Sequence, residues 1–303
     1  MKMNALTPSD YPQLKRFFEA QKYPLCVYSL SSLLVWSSRI YQPCGLVISD
    51  DTFVAGVEFA ATHAEKRHLI LPLSPVKSHS PEELIDISLK TGFETYWFVP
   101  EIYLESFGKD RTEALFQIEE QPEFEDYVYL REDLAELKGN RYSKKRNLIS
   151  QFNREYADRV QIEALTASLA SECIDFLEKW CKERDCDKEE SGDLSCEKRA
   201  AINALGHIDN IGMTGILVRI DGTVSAFGIA SRLTSDTGVL HFEKAFAHIK
   251  GLYQFLDNLC AKQLLADVKY INKESDMNEP GLAKTKKSYH PVMMIKSYKL
   301  TVR

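Results

Sequence analysis

Long apolar runs are missing from this 303-residue sequence. The longest candidate, PLCVYSLSSLLVW, is interrupted by serines and falls short of the roughly 18 residues that a membrane span requires. The first residues, MKMNALTPSDYP, contain neither an apolar signal core nor a small-residue cleavage site. We therefore expect a cytoplasmic protein without an integral membrane segment.

Cysteine spacing argues against both a disulfide framework and a zinc site. The seven cysteines are odd in number and irregularly spaced, which favours reduced thiols. Cys181, Cys186 and Cys196 are close in sequence, but neither a CxxC pair nor a spaced histidine pair accompanies them. We expect no metal. A glycine-rich P-loop and a Ser or Cys nucleophile elbow are also missing, so we expect direct attack on a substrate, without a covalent enzyme intermediate.

Positive charge is concentrated in two stretches of an acidic chain, whose formal net charge is -6. Residues 138–154 contain six bases and no acid, and residues 280–303 contain the same. This distribution argues against nonspecific nucleic-acid binding over the whole protein surface. The pattern indicates positive potential at a site for an anion. Residues 183–197, with seven acids against two bases, are typical of a solvated loop or helix face.

Apolar periodicity predicts a mixed α/β chain in two parts. The first part contains the strand signals GLVISD, TFVAGVEFAA and RHLILPL. It also contains the helix signal SPEELIDISLKTG, with Ser80 as N-cap and Gly92 after the last turn. The composition shifts between Asp133 and Arg146, where we expect the second part to begin.

In the second part the apolar pattern predicts a strand, two helices, three antiparallel strands, a helix, a strand, a helix and a final strand, VMMIKSYKL. Asp221-Gly222 is a strong hairpin signal between the first two antiparallel strands. Ser143 is placed to cap the helix SKKRNLISQFNREY, whose first turn holds three bases that oppose the helix dipole. One of them, Lys145, is on the apolar side. It either contacts a bound anion or extends its charge into water.

The stretch FAHIKGLYQFL places Lys250 and Gly251 where the strand TGVLHFEKAFA turns into a helix. Two explanations are open. Gly251 is either an ordinary turn glycine or part of a phosphate cradle, in which the free amides of the helix start hold the anion and Lys250 adds charge.

The order of elements in the second part resembles the GNAT acyltransferase fold, in which the strand–helix corner holds an acyl carrier's pyrophosphate. The sequence departs from the usual Gly-x-Gly or Gly-x-Ala signature, because IKGLY has one glycine followed by two large residues. The resemblance implies coenzyme A or acyl-CoA as donor. The residues that would contact it are Phe246, Ala247, Ile249, Lys250, Gly251, Leu252 and Tyr253, with Lys284 and Lys286 as further phosphate contacts unless these lysines are simply solvated.

A resemblance over most of the chain is carried by YLREDLAELKGNRYSKKRNLISQF, FEKAFAHIKGLYQFLDN and YINKESDMNEPGLAKTKKSYHPVMMIKSY. These segments resemble the soluble C-terminal domain of the phosphatidylglycerol lysyltransferases, which is related to the Fem-type aminoacyltransferases. The resemblance implies two tandem GNAT-like domains, residues 1–136 and residues 137–303, with the donor site in the second. It also implies aminoacyl-tRNA as an alternative donor. The sequence does not contain the multi-span membrane region of the full lysyltransferases.

Acyl transfer needs a group that takes a proton from the nucleophile and a group that returns one to the leaving atom. Glu243, with His241 on the same strand face, is the candidate base or amine-positioning group; a charged residue at a strand edge is the alternative. Tyr289 is the candidate acid, unless it only packs before Pro291. The predicted acceptor or acyl contacts are Asn272, Glu274 and Asp276, where the sheet of this fold opens, together with His241 and Lys145.

Three functions are therefore carried forward. The first is acyl transfer from acyl-CoA to an amine or hydroxyl acceptor. The second is aminoacyl-tRNA-dependent transfer to a lipid or peptide. The third is a catalytically silent module that binds coenzyme A or a nucleotide, which the incomplete glycine signature favours.

Overall fold

The structure is a computed structural model that describes residues 1–38, 40–184 and 193–303, without the side chains of residues 184 and 193–196. This part of the chain forms two seven-stranded sheets flanked by helices. The strands are β1 Asn4–Ala5, β2 Tyr41–Ser49, β3 Thr52–Phe59, β4 His68–Leu69, β5 Thr95–Pro100, β6 Phe116–Glu120, β7 Asp126–Leu130, β8 Val160–Leu165, β9 Met213–Ile220, β10 Thr223–Arg232, β11 Thr237–Ala245, β12 Tyr270–Asn272, β13 Met293–Ile295 and β14 Ser297–Val302. The helices are α1 Tyr11–Phe18, α2 Leu30–Val35, α3 Pro81–Thr91, α4 Glu101–Phe107, α5 Lys109–Glu113, α6 Arg131–Glu136, α7 Ser143–Tyr156, α8 Ala170–Arg184, α9 Asp193–His207, α10 Leu252–Leu259 and α11 Pro280–Lys287.

The contacts of the chain divide it into two compact units. The first unit comprises Met1–Tyr127, Glu274–Ala283 and Met294–Arg303, and the second comprises Val128–Lys273 and Lys284–Met293. The chain therefore returns to the first unit twice after leaving it. The sequence analysis expected a single boundary after residue 136, with each domain formed by one continuous segment.

The first sheet has the order β1-β2-β3-β4-β5-β14-β6 and is antiparallel except for the pair β4–β5. Its helix α3 has the predicted ends. Ser80 and Glu83 form a reciprocal capping box, and Gly92 adopts the left-handed conformation after the last turn. The buried hydroxyl of Tyr28 donates to the carbonyl of Phe98 at 3.0 Å and accepts from the amide of Leu71 at 3.3 Å. It thereby joins β5 to the chain that follows β4.

The expected single strand VMMIKSYKL is wrong. The segment divides into β13, which is in the second sheet beside β7, and β14, which lies between β5 and β6 in the first sheet. Ser297, Tyr298 and Leu300 are buried there. The prediction failed because the alternation of apolar residues identifies a strand but does not identify its sheet.

The second sheet has the order β13-β7-β12-β11-β10-β9-β8. The predicted β9–β10 hairpin is confirmed: Asp221 and Gly222 both have positive φ, as a type I′ turn requires. The parallel strands β11 and β12 pair from Thr237↔Tyr270 to Val239↔Asn272 and no further. Beyond that point β11 continues to Ala245 paired with β10, and α10 packs on β10 and β11. A π-helical segment, Cys260–Leu264, follows α10. The predicted fold class, a mixed α/β chain with two mostly antiparallel GNAT-like sheets flanked by helices, is confirmed.

Candidate active site of the second unit

A cluster of buried charged groups lies where β11 and β12 cease to pair. Lys273 is the first residue after β12, and its Nζ atom lies 2.6 Å from Oε2 of Glu243 on β11. The same Nζ atom lies 2.7 Å from Oδ1 of Asp257 on α10. The side chains are 12%, 17% and 4% exposed for Lys273, Glu243 and Asp257. A single buried ammonium is thus shared by two carboxylates.

Tyr289, which follows α11, belongs to the same cluster. Its phenol lies within hydrogen-bonding reach of the Asp257 carboxylate. The centre of its ring lies 3.7 Å from the Nζ atom of Lys145 and 5.2 Å from that of Lys273. Two ammonium groups therefore make cation–π contacts with the same ring. The carbonyl of Tyr289 accepts a hydrogen bond from the hydroxyl of Tyr142 at 3.0 Å. These contacts hold the side chain in place.

The electrostatics of the cluster single out Glu243. Burial raises the pKa of Glu243 from its usual 4.5 to about 7; the Lys273 ammonium opposes this shift, and the Asp257 carboxylate adds to it. Burial alone would lower the pKa of Lys273, but the Asp257 and Glu243 carboxylates together raise it well above its usual value. Burial, followed by the Asp257 charge, also raises the pKa of Tyr289. At neutral pH the lysine is therefore charged, the phenol keeps its proton, and Glu243 titrates.

Two further predicted site lysines adjoin the cluster. Lys286 on α11 donates to the carbonyl of Lys273. Lys145 on α7 donates to the hydroxyl of Ser288 at 2.7 Å, and burial, followed by the opposing charge of Asp257 and the repulsion of Lys273, leaves its pKa below the usual value. The structure thus gathers Glu243, Tyr289, Lys145 and Lys286 from the predicted list.

Two of the three bases in the first turn of α7 have protein partners that the sequence did not reveal. Lys145 contacts Ser288 and Tyr289, and Arg146 donates to the carbonyls of Leu137 and Gly139. The expected cap is wrong: Ser143 is the first helical residue, Tyr142 is the N-cap, and α7 has no side-chain cap bond. Part of the charge near this helix start is therefore compensated within the protein, and a bound anion stays a prediction.

Gly251 is the N-cap of α10, with φ of 84°. A Cβ atom at this position would lie 2.3 Å from the carbonyl oxygen of Leu148 and 3.1 Å from Cβ of Phe152, both on α7. Two helices therefore approach so closely here that only glycine fits. This packing explains the glycine without any ligand, and the phosphate contact stays a prediction.

The start of α10 differs in one respect from the start of α3 in the first unit. The α3 start is closed by its own capping box and carries two acids, Glu82 and Glu83. The α10 start has no side-chain cap and no acid in its first turn. It follows the exposed residues Ala247 and Lys250, although the Leu252 amide already donates to the carbonyl of Ile249 at 3.2 Å.

The remaining predicted donor contacts have mainly packing partners. Phe246 packs on Phe176 with 4.6 Å between ring centroids, and Leu252 is buried. The hydroxyl of Tyr253 accepts from the indole nitrogen of Trp180 at 3.0 Å. Lys284 is exposed on α11.

The predicted acceptor contacts do not form one group. His241 is buried, with Nε2 2.8 Å from the Ser231 hydroxyl, and Asn272 is buried in β12 between β11 and β7. Glu274 and Asp276 belong to the first unit, where the Tyr127 hydroxyl donates to Oδ2 of Asp276 at 2.6 Å. The carbonyl of Glu274 accepts from the Tyr127 amide at 3.1 Å.

The sequence analysis missed Lys273 and Asp257. A signal for Asp257 was present, because it is an acid on a helix whose Leu252, Leu256 and Leu259 form an apolar face, and such a buried acid needs a partner. Lys273 gave no comparable signal. Its role depends on the distance between the end of β12 and α10, which no local pattern encodes.

The described residues contain neither a metal-binding cluster nor a helix that could span a membrane. Across residues 1–38, 40–184 and 193–303, no group of three or more His, Cys, Asp or Glu side chains is arranged to hold a metal ion. Cys186 and the side chain of Cys196, which the sequence analysis considered, lie outside the described part of the chain. Within the described part, no helix combines the length and the apolar character that crossing a bilayer requires.

The two sheets and their flanking helices form a GNAT-like α/β fold, and comparison with known sequences identifies the family. Residues 98–301 match the family described as "Phosphatidylglycerol lysyltransferase, C-terminal". The match covers more than half of the chain, and the protein belongs to this family. The resemblance to the phosphatidylglycerol lysyltransferases that the sequence analysis predicted is thereby confirmed. No curated protein is similar enough to the chain to count as a relative.

Solved structures agree with this assignment at the level of the fold. A conserved protein of unknown function from Bacteroides thetaiotaomicron VPI-5482 is 28% identical, with a TM-score of 0.86 over 99% of both chains. L-PGS from Bacillus licheniformis is 13% identical, with a TM-score of 0.64 over 98% of this chain and 93% of that one. FemX is 8% identical, with a TM-score of 0.58 over 99% and 97%. The last two likenesses concern the fold alone.

Proposed function

We propose that this protein transfers an aminoacyl group from an activated ester to a hydroxyl or amine acceptor by direct attack. The observation that carries the proposal is the position of the Glu243 carboxylate at the opening between β11 and β12, where burial raises its pKa to about 7. A general base works best when its pKa is close to the operating pH. Perturbed carboxyl groups of this kind are concentrated at functional sites.

In this proposal the acceptor's lone pair attacks the carbonyl carbon of the donor ester while Glu243 takes the acceptor's proton. The bond from the carbonyl carbon to the leaving oxygen then breaks, and Tyr289 gives that oxygen a proton. Solvent afterwards removes the proton from Glu243 and returns one to Tyr289. The nearby Lys145 and Lys286 would favour the negative charge that develops on the carbonyl oxygen.

Two observations support aminoacyl-tRNA as the donor. The family is described by a lysyltransferase activity, which moves an aminoacyl group. In the second unit, five of the six bases between residues 138 and 154 are exposed, namely Lys138, Arg141, Lys144, Arg146 and Arg154. Exposed bases grouped in this way attract a phosphate backbone, and their contribution to affinity decreases with salt.

Acyl-CoA is the second candidate donor, because the start of α10 has neither a side-chain cap nor an acid. Helix starts of this kind bind phosphate through their free amides. The close packing of Gly251 against α7 weighs against it, since the glycine has a structural role already. The family description supports phosphatidylglycerol, whose headgroup offers a hydroxyl, as the first acceptor to test.

The test is a transfer assay with the purified chain and total tRNA charged with radiolabelled amino acids. Vesicles that contain phosphatidylglycerol serve as acceptor. We expect label to leave the tRNA and enter the lipid extract, and binding of the charged tRNA to weaken as salt increases. Glu243→Gln is the matched inactive variant, and acetyl-CoA is titrated in parallel by calorimetry.

The outcomes separate the three functions. Transfer that depends on Glu243 supports the proposal, whereas binding and turnover of acetyl-CoA alone would replace it with the second candidate. Binding of either donor without turnover of any kind would overturn the enzymatic proposal and favour a silent binding module.

A further inference from the structure

The charges around Lys273 do not balance, because two carboxylates contact one ammonium group. Its single positive charge faces the carboxylates of Glu243 and Asp257 at 2.6 and 2.7 Å, so the three groups together carry one excess negative charge when all are ionised. Buried sites disfavour an uncompensated charge. One proton added to the cluster makes it neutral, and the site is therefore built to accept one.

The two carboxylates are not equivalent. Asp257 is 4% exposed and lies within reach of both the Lys273 ammonium and the Tyr289 phenol, which are donors to an ionised carboxylate. Glu243 is the more exposed of the two, at 17%. Glu243 also lies beyond the end of the β11–β12 pairing, and burial raises its pKa, so the added proton belongs on Glu243.

The other groups that face Glu243 come from every neighbouring element. Lys286 on α11 acts in the same direction as Lys273. The buried thiol of Cys260, in the turn after α10, is near enough for the charges of Glu243 and Asp257 to add to the burial that raises its pKa, which keeps the thiol neutral. Tyr289 is neutral as well, because its pKa is raised. Lys145 lies 3.7 Å from the Tyr289 ring, and the charges that act on it are those of Asp257 and Lys273. Lys273 is thus the charge in contact with Glu243, and Asp257 is the charge in contact with Lys273.

We propose that Lys273 and Asp257 are positioning residues for Glu243, Lys273 as its direct partner at 2.6 Å and Asp257 as the second partner of Lys273 at 2.7 Å. The positive charge of Lys273 favours the ionised form of Glu243, and the negative charge of Asp257 disfavours it. Lys273 holds the carboxylate of Glu243 at the strand opening. Asp257 keeps Lys273 charged and prevents it from fixing Glu243 permanently in the ionised form. This inference rests on the proposed function for its purpose, because a base needs an affinity that permits both uptake and release of a proton.

The test measures the titration of Glu243 itself. Protein labelled with ¹³C at the glutamate carboxyl carbons is titrated by NMR, and the Glu243 signal is the one that Glu243→Gln removes. Because a charge within about 4–6 Å shifts a carboxyl pKa by about 1–3 units, Lys273→Met should raise the midpoint by about one unit or more, and Asp257→Asn should lower it similarly. Lys273→Arg, which keeps the charge, should titrate close to the unmodified protein.

The matched control is Lys244→Met. Lys244 is the next residue on β11 and is also a buried lysine, but its side chain projects from the other face of the strand, where it pairs with Glu197 and lies 4.4 Å from the Trp180 ring. Its loss removes a buried charge from the same strand without touching the cluster. It should leave the Glu243 midpoint unchanged.

Several results would overturn the inference. These are midpoints that move in the same direction in Lys273→Met and Asp257→Asn, midpoints that do not move, or a shift in Lys244→Met as large as that in Lys273→Met. If Lys273→Met does not fold, Asp257→Asn and Lys273→Arg decide the question. The titration requires neither donor nor acceptor. Opposite shifts without detectable transfer would therefore support this inference while the proposed function fails, and unchanged midpoints with transfer intact would overturn this inference alone.

Discussion

Replacing Gly251 with alanine tests whether the α7–α10 contact requires this glycine. The residue has φ of 84°, and the added Cβ would lie 2.3 Å from the carbonyl oxygen of Leu148. Both features oppose any side chain, so Gly251→Ala should destabilise the second unit.

The magnitude has two parts. Left-handed backbone costs a residue with a Cβ atom about 1–2 kcal/mol. The clash with the α7 backbone forces the helices apart, and overpacking of this kind costs about 1–3 kcal/mol. We therefore expect Gly251→Ala to lower the free energy of unfolding by about 2–5 kcal/mol in total.

Gly222→Ala is the matched control. Gly222 also has positive φ, 76°, but apart from its chain neighbours no described residue has an atom within 4 Å of the Cβ position. Its substitution should cost about 1–2 kcal/mol through the backbone alone. Urea unfolding followed by far-ultraviolet circular dichroism gives both values. Equal losses in the two variants would refute the helix contact and leave the corner available for an anion.

Three further variants test other parts of the structure. Burial lowers the pKa of His68 from 6.5 to about 4, so the free energy of unfolding is highest above pH 6.5 and decreases as the pH falls toward 4. His68→Phe should remove about 3 kcal/mol of that decrease, and an unchanged pH dependence of urea unfolding would contradict this. Removal of residues 297–303 takes away β14 from between β5 and β6, so limited proteolysis should cleave the first unit faster, and equal resistance would show that the strand is dispensable. Arg219→Met breaks contacts of 2.7 Å to Glu163 and 2.6 Å to Glu172, and it should lower the free energy of unfolding in urea by about 1–3 kcal/mol. Arg159→Met, which breaks an exposed ion pair, should lower it by less than about 1 kcal/mol, and similar values for both variants would argue against a stabilising role of the Arg219 contacts.

Local sequence signals predicted the parts of the fold that local interactions determine. Asp221-Gly222 specified its turn because both residues tolerate positive φ, and Ser80 with Glu83 specified a helix start because the two side chains satisfy each other's backbone amides. Both interactions lie within four consecutive residues. The strand, helix and turn types in the second unit followed from the same kind of pattern.

Strand placement and the buried cluster depend on distant residues, and the sequence did not reveal them. β14 lies beside β5, about two hundred residues earlier, and Lys273 meets Glu243 and Asp257 only after β11, β12 and α10 have packed. Gly251 is an intermediate case. Its position identified a special backbone, but the reason for the glycine lies on α7, whose approach no local signal predicts.

The rate of transfer by the Glu243→Gln variant, relative to that of the unmodified protein, tests the central claim most directly. The amide occupies nearly the same volume but does not take up a proton. With charged tRNA and a phosphatidylglycerol acceptor under single-turnover conditions, we predict a rate lower by about 10²–10⁴-fold, the usual contribution of a general base. An equal rate in a folded variant would contradict the role of Glu243 and, with it, the proposed mechanism.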